Sequence, residues 1–168
     1  MNFSLANIIV DGVILSIGLS IIVLGSMRFN PRLWLRDYPP EVQAVVAPVT
    51  PIEKRQQQIV MVLFMAVSAA VLFVSLSSLH AANNGNPAFL ALFLNLYGVL
   101  IIFNITDAVI LDYLILMRMK PRFAVIPGSE AVYEASFPSL QVQMGDFLKG
   151  CVIIGVVSLV VAGLVTVF

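Results

Sequence analysis

The apolar residues of this chain are grouped into four long runs, and the stretches between them contain most of the charged residues. The runs cover residues 5–27, 60–79, 89–117 and 147–168. A helix needs roughly 20 apolar residues to cross a bilayer, and the hydrocarbon core offers no water to unpaired backbone groups. The pattern therefore predicts an all-α membrane protein with four transmembrane helices in a single domain over residues 1–168.

Two local signals predict where the second helix begins and how it is connected to the third. Thr50, Pro51 and Glu53 have the spacing of a capping box, which predicts that the second helix begins at Pro51, before its apolar run. The polar residues 83–86 are typical of a tight turn between the second and third runs. Because so short a connection makes two helices antiparallel neighbours, we expect an antiparallel four-helix bundle.

The basic residues predict the orientation of the chain in the membrane. All nine Lys and Arg residues lie in two segments, from Arg28 to Arg55 and from Arg118 to Lys149. Loops rich in such residues stay on the cytoplasmic side. We therefore expect cytoplasmic loops over residues 28–59 and 118–146 and both termini outside. Residues 41–46 are expected to form a short helix, and the second loop a small hairpin near Tyr133.

The composition excludes several classes of function. The chain is 60% apolar, with a mean hydropathy of +1.02 and a net charge of zero, so a nucleic-acid partner is not expected. A single cysteine, Cys151, cannot form an internal disulfide, and with one histidine, His80, the common zinc sites cannot be assembled. The phosphate-binding loop and the common hydrolase motifs are absent. No cofactor, metal ligand or catalytic residue is predicted.

Three acids interrupt the apolar runs: Asp11, Asp107 and Asp112. Such residues are costly at membrane depth and are candidates for function. Asp11 lies in the outer half of the first run and Asp107 in the inner half of the third, so they differ in depth by ~14 Å and cannot share one ion unless a helix is displaced or broken. Asp11 is expected to accept a hydrogen bond from serines at a helix interface near the outer surface.

Asn104, Asp107 and Asp112 form the candidate polar site. On an α-helix the two acids point ~140° apart, with Asn104 between them. Arg28 and Lys149 lie at about the depth of Asp112, and their long side chains could also reach toward Asp107. The favoured interpretation is a set of paired structural charges. The alternatives are a proton or cation site, or a lipid head-group enzyme that uses the carboxylates with a divalent metal.

Four short motifs support a resemblance that covers most of the chain. They are Asp37-Tyr38-Pro39, the Asn104, Asp107 and Asp112 helix, Ile126-Pro127-Gly128-Ser129-Glu130, and Phe147-Leu148-Lys149-Gly150. In these motifs the chain resembles small four-span membrane proteins of bacteria and archaea that have no assigned activity. The resemblance implies a prokaryotic plasma membrane protein and draws attention to Asp107, Asp112 and Lys149.

The function expected from the sequence is that of a non-enzymatic accessory or scaffold subunit in the plasma membrane. A small oligomeric transporter or channel with a site at Asp107 and Asp112 is the first alternative, and a lipid-modifying enzyme is the second. The expected partners are the lipid bilayer and either a larger membrane complex or further copies of the chain. Gly12, Ser16 and Ser20 recur at steps of four, which predicts close helix packing within the bundle.

Overall fold

A computed structural model describes residues 4–135 and 140–167, and this part of the chain contains helices and no strand. The elements are α1 (Leu5–Phe29), a 3-10 helix (Pro31–Asp37), α2 (Pro40–Val45), α3 (Pro51–Ala82), α4 (Phe89–Thr106), a π-helix (Asp107–Met119) that continues α4, a 3-10 helix (Arg122–Ala124), α5 (Glu130–Ala135) and α6 (Leu140–Val167). The predicted all-helical fold class is confirmed for these residues.

Four helices are long and apolar enough to cross a membrane, as the four runs predicted. They are α1, α3, α4 with its π-helical continuation, and residues Val142–Val167 of α6. The predicted start of α3 is also confirmed. The hydroxyl of Thr50 accepts from the Glu53 N–H at 3.2 Å, and the Thr50 N–H donates to the Glu53 carboxylate at 2.7 Å.

Helix α4 is central, because it packs against α1, α3 and α6. Two glycines allow α1 and α4 to approach closely. A Cβ on Gly12 of α1 would lie 2.8 Å from the Cβ of Ile102, and a Cβ on Gly98 of α4 would lie 2.7 Å from a methyl of Ile8. Gly12 is therefore part of an interface within the chain, as the spacing of small residues predicted.

The packed helices have two ends, which we call the turn end and the loop end. The turn end contains the turn after α3, and there Leu79, Leu92 and Ala162 form a buried cluster that joins α3, α4 and α6. Next to this cluster, the side-chain amide of Asn95 donates to the hydroxyl of Ser75 at 2.8 Å. Interhelical hydrogen bonds of this kind contribute to helix association where water is excluded.

The loop end is covered by a folded unit made from residues 30–50 and 120–135, which we call the loop layer. Its core packs onto Val23 and Met27 of α1 and Leu111 of the π-helix. The residues that the loop layer contributes to this core are Leu35, Tyr38, Val42, Ala124, Ile126 and Tyr133. The two connecting segments thus share one hydrophobic core with the ends of the helices.

Tyr38 joins the two segments of the loop layer directly. Its hydroxyl donates to the carbonyl of Ala124 at 2.5 Å, and its ring centre lies 5.9 Å from that of Tyr133. Burial, with smaller effects from Tyr133 and Asp37, raises the pKa of the Tyr38 hydroxyl. The hydroxyl therefore stays protonated and keeps its role as a donor.

The short helix expected near residues 41–46 is confirmed by α2, but the predicted hairpin near Tyr133 is wrong. Helix α5 occupies that position, and the Tyr133 N–H donates to the carbonyl of Ser129 at 2.7 Å. Tyr133 packs inward, whereas its neighbours Val132 and Glu134 are more exposed. One helical turn therefore produces the same local alternation of apolar residues as a strand.

A test of the close contact between α1 and α4 is the substitution Gly12→Val. The new side chain would collide with Ile102, so we expect the free energy of unfolding to fall by about 1–3 kcal/mol. The matched control is Gly25→Val on the same helix, because a Cβ on Gly25 meets no atom within 4 Å. Unfolding in mixed micelles with increasing dodecyl sulfate measures both variants. Equal loss in the two variants would contradict this packing.

Candidate functional site

The candidate acids lie in the π-helix, which places them differently from the α-helix that the sequence predicted. A π-helix joins residues five apart by hydrogen bonds, and at its end the Lys120 N–H donates to the carbonyl of Ile115 at 3.1 Å. Residues five apart therefore lie near one another along one side. Asp107 and Asp112 are close enough for their charges to interact. The expected separation of ~140° assumed 3.6 residues per turn and is wrong for this segment.

Two further acids lie within electrostatic reach of this pair. Asp37 of the loop layer interacts with both Asp107 and Asp112, and Asp146 of α6 interacts with Asp112. The site therefore combines carboxylates from three elements. Sequence reasoning did not include Asp37 or Asp146, because both lie far from the π-helix along the chain and only the folded loop layer and the packing of α6 bring them near.

The predicted neutralisation of Asp112 by Lys149 is not what the structure shows. The ammonium of Lys149 lies 2.8 Å from a carboxylate oxygen of Asp146, and both side chains are largely exposed. Arg28 is exposed at the end of α1 and has no acidic partner among residues 4–135 and 140–167. Lys149 follows Asp146 by three residues on α6, and this nearer acid is its partner because adjacent turns bring the two side chains together.

Asp107 and Asp112 are partly buried, and neither has a positively charged partner in the part of the chain that the structure describes. Neither carboxylate accepts a hydrogen bond from these residues or forms an ion pair with them. A partly buried carboxylate without a partner is unfavourable at membrane depth. These two acids are therefore better placed to receive a proton or a cation than a paired set would be.

Asn104 has a different role from the one expected. Its side-chain amide donates to the carbonyl of Phe147 at 3.2 Å and lies 3.5 Å from the sulfur of Cys151. A Cβ on Gly150 would collide with the Asn104 side chain. The absence of a side chain at Gly150 thus provides the space in which Asn104 connects α4 to α6, and Asn104 is a packing residue at the edge of the acidic site.

Asp11 is partly buried on α1 and makes none of the expected hydrogen bonds to serines within the described ranges. At the turn end, a polar contact between α3 and α4 joins Asn95 to Ser75. A cavity of about 150 Å³ opens beside it between α1, α3 and α4, and its lining includes Ser4, Asn7, Ser75 and Asn95. Sequence reasoning missed this cavity, although the polar residues Ser75, Ser78 and Asn95 interrupt two apolar runs.

The described residues contain no group of three or more His, Cys, Asp or Glu side chains arranged to hold a metal ion. The four acids interact through their charges, but they do not form a ligand set. Proton exchange or transient binding of a monovalent cation is the chemistry that this arrangement favours.

Comparisons with known proteins identify no relative of the chain. No protein-family model matches it, and no curated protein or solved structure matches it either. We therefore infer a function from the geometry of the loop layer and of the acidic site.

Proposed function

We propose that this chain is an integral protein of a prokaryotic plasma membrane that crosses the bilayer four times as an antiparallel bundle. The loop layer would lie in the cytoplasm and both termini outside. All nine basic residues lie in residues 28–55 and 118–149, which include the loop layer and the helix ends next to it. This distribution supports the proposed orientation. Ser4, just before α1, and Ala82, at the end of α3, line one cavity, which supports opposite directions for these two helices.

Within that membrane, the proposed role is that of a non-enzymatic accessory or scaffold subunit. The observation that favours it is the loop layer itself. Residues 30–50 and 120–135 share a core with the helix ends and are joined by the hydrogen bond from Tyr38 to Ala124. Simple connections between spans do not need such order. A fixed layer of this kind is suited to presenting a surface to a partner protein.

The outward surface of the loop layer suggests the chemistry of that partner. Helices α2 and α5 pack against each other, and they expose three carboxylates, Glu41, Glu130 and Glu134. Backbone N–H groups of Glu130 and Gly128 donate to the Glu130 carboxylate and lower its pKa, so that it stays charged. A basic surface on the partner would complement these acids.

Purification from native membranes in a mild detergent tests the scaffold proposal. We expect the wild-type chain to elute with a second membrane protein in a fixed ratio, identified by mass. The double substitution Glu41→Lys and Glu134→Lys should lower the recovered partner at least about tenfold, because it replaces attraction by repulsion. The control is Asn86→Lys, which adds a charge at the turn end and should retain the partner. A wild-type chain that elutes alone would contradict the proposal.

A small transporter or channel that works as an oligomer is the second candidate. The observation in its favour is the set of interacting carboxylates around Asp112 without an ion pair to Asp107 or Asp112 in the described ranges. A single bundle of four helices has little room for a water-filled path, so this function would require several copies. No specific observation favours a lipid-modifying enzyme.

Asp107→Asn tests the transporter candidate in proteoliposomes that contain a pH-sensitive or cation-sensitive dye. If the acids conduct a proton or cation, the variant should lose at least about nine-tenths of a wild-type flux, while the yield of folded protein stays unchanged. Asp11→Asn is the matched control, because Asp11 lies outside the acidic site. Absence of a wild-type flux, or equal flux in Asp107→Asn, would exclude this role for Asp107.

A further inference from the structure

One side of α3 faces away from the rest of the bundle and contains a groove. Phe64 and Val67 pack toward the buried cluster of α1 and α4. Arg55 lies nine residues before Phe64, which places it ~180° away around the helix. A groove of about 290 Å³ follows that side. We call it the α3 groove, and its lining residues are Arg55, Gln58, Ile59, Val62 and Leu63.

The α3 groove crosses the level at which a membrane changes from polar to apolar. The apolar run of α3 begins at residue 60, so with a rise of ~1.5 Å per residue Arg55 stands ~8 Å outside the hydrocarbon. The headgroup layer on each side of a bilayer is roughly 5–8 Å thick. Arg55 therefore lies at the level of lipid phosphates, Gln58 lies just below it, and Val62 and Leu63 lie beside the acyl chains.

The end of the α3 groove that contains Arg55 is positively charged. Lys54 and Arg55 are exposed and form no ion pair within the described ranges. The acid nearest to them in the sequence, Glu53, is bound by Arg32 at 2.6 Å and is almost completely buried. Glu53 is thus not available to neutralise Arg55. A guanidinium can bind two oxygens of a phosphate at once, and the amide of Gln58 offers a further donor nearby.

We propose that the α3 groove binds one anionic phospholipid. Its phosphate would bind Arg55 and Gln58, and one acyl chain would lie along Ile59, Val62 and Leu63. The inference depends on the proposed placement of α3 in a membrane. A second copy of the chain is the less suitable occupant. Copies in one membrane are related by an axis along the membrane normal, so identical faces would bring one Arg55 close to another.

Lipid retention measured by native mass spectrometry tests the proposal. The full chain is released from micelles that contain either phosphatidylglycerol, which is anionic, or phosphatidylcholine, which has no net charge. We expect the wild type to retain one phosphatidylglycerol in preference to phosphatidylcholine. Arg55→Gln should lower that preference about fivefold, the effect of one basic residue near an anionic surface.

Lys54→Gln is the matched control, because it removes the same charge one residue away but ~100° around the helix from the groove. It should change the preference less than twofold. Equal losses in the two variants would show a general attraction to anionic surfaces and would overturn the specific site. Unchanged retention in Arg55→Gln would also overturn it. Both positions are exposed, and a thermal unfolding midpoint within a few degrees of wild type confirms that each variant folds.

Two parallel measurements separate failure of this proposal from failure of the proposed membrane placement. Release of the wild-type chain from membranes by alkaline carbonate would contradict the placement itself. Val62→Cys in a Cys151→Ser background tests for a second copy on the groove. Efficient crosslinking between two chains through Cys at this position would show that the groove is a dimer interface and would overturn lipid binding, whereas its absence supports the lipid.

Discussion

The carboxylate of Glu53 is the group on which the arrangement of the loop end depends. It accepts from the Thr50 N–H and so begins α3, and it binds Arg32 at 2.6 Å and Asn30 at 3.3 Å. Arg32 donates in turn to the carbonyls of Ala47 and Pro48 at 3.0 and 3.1 Å. A carboxylate at a helix N-terminus is favoured by the helix dipole. One side chain therefore fixes both ends of the first connecting segment to the start of α3.

The consequences of this contact extend to both candidate functions. The first segment, held by Glu53, presents Tyr38 to Ala124 and thus orders the second segment. It also carries Asp37 to the acids of the π-helix. Because Glu53 is paired with Arg32, Lys54 and Arg55 on α3 form no ion pair in the part of the chain that the structure describes. The scaffold surface, the acidic site and the α3 groove all require the same local pairing.

Local patterns in the sequence predicted the parts of the fold that depend on neighbouring residues. The capping box of Thr50 and Glu53 acts over three residues, and the four helices follow from continuous apolar runs. The contact of Tyr38 with Ala124 spans 86 positions and has no local signal. The π-helix was also unpredictable from periodicity, because helical patterns are read with 3.6 residues per turn and long π-helices are rare.

In the acidic site, too, some residues could be identified from the local sequence and others only from the tertiary fold. Asp107 and Asp112 were identified from the cost of a carboxylate in an apolar run, and Asp146 could have been found as the partner of Lys149 three residues away. The approach of Asp37 depends on the tertiary fold. Within the described ranges, Arg32 pairs with the buried Glu53, but no basic residue forms an ion pair with Asp107 or Asp112. This difference makes a proton or cation role for those acids stronger than the sequence indicated.

Hydrogen exchange of the chain in lipid nanodiscs tests most directly whether the two connecting segments form one layer held by Glu53. In the wild type, backbone N–H groups over residues 38–46 and 122–134 should exchange far more slowly than in an unstructured peptide. In Glu53→Gln, both segments should lose protection together, whereas Glu41→Gln should leave both unchanged. Rapid exchange of these segments in the wild type, or loss confined to the first segment in Glu53→Gln, would contradict a single loop layer.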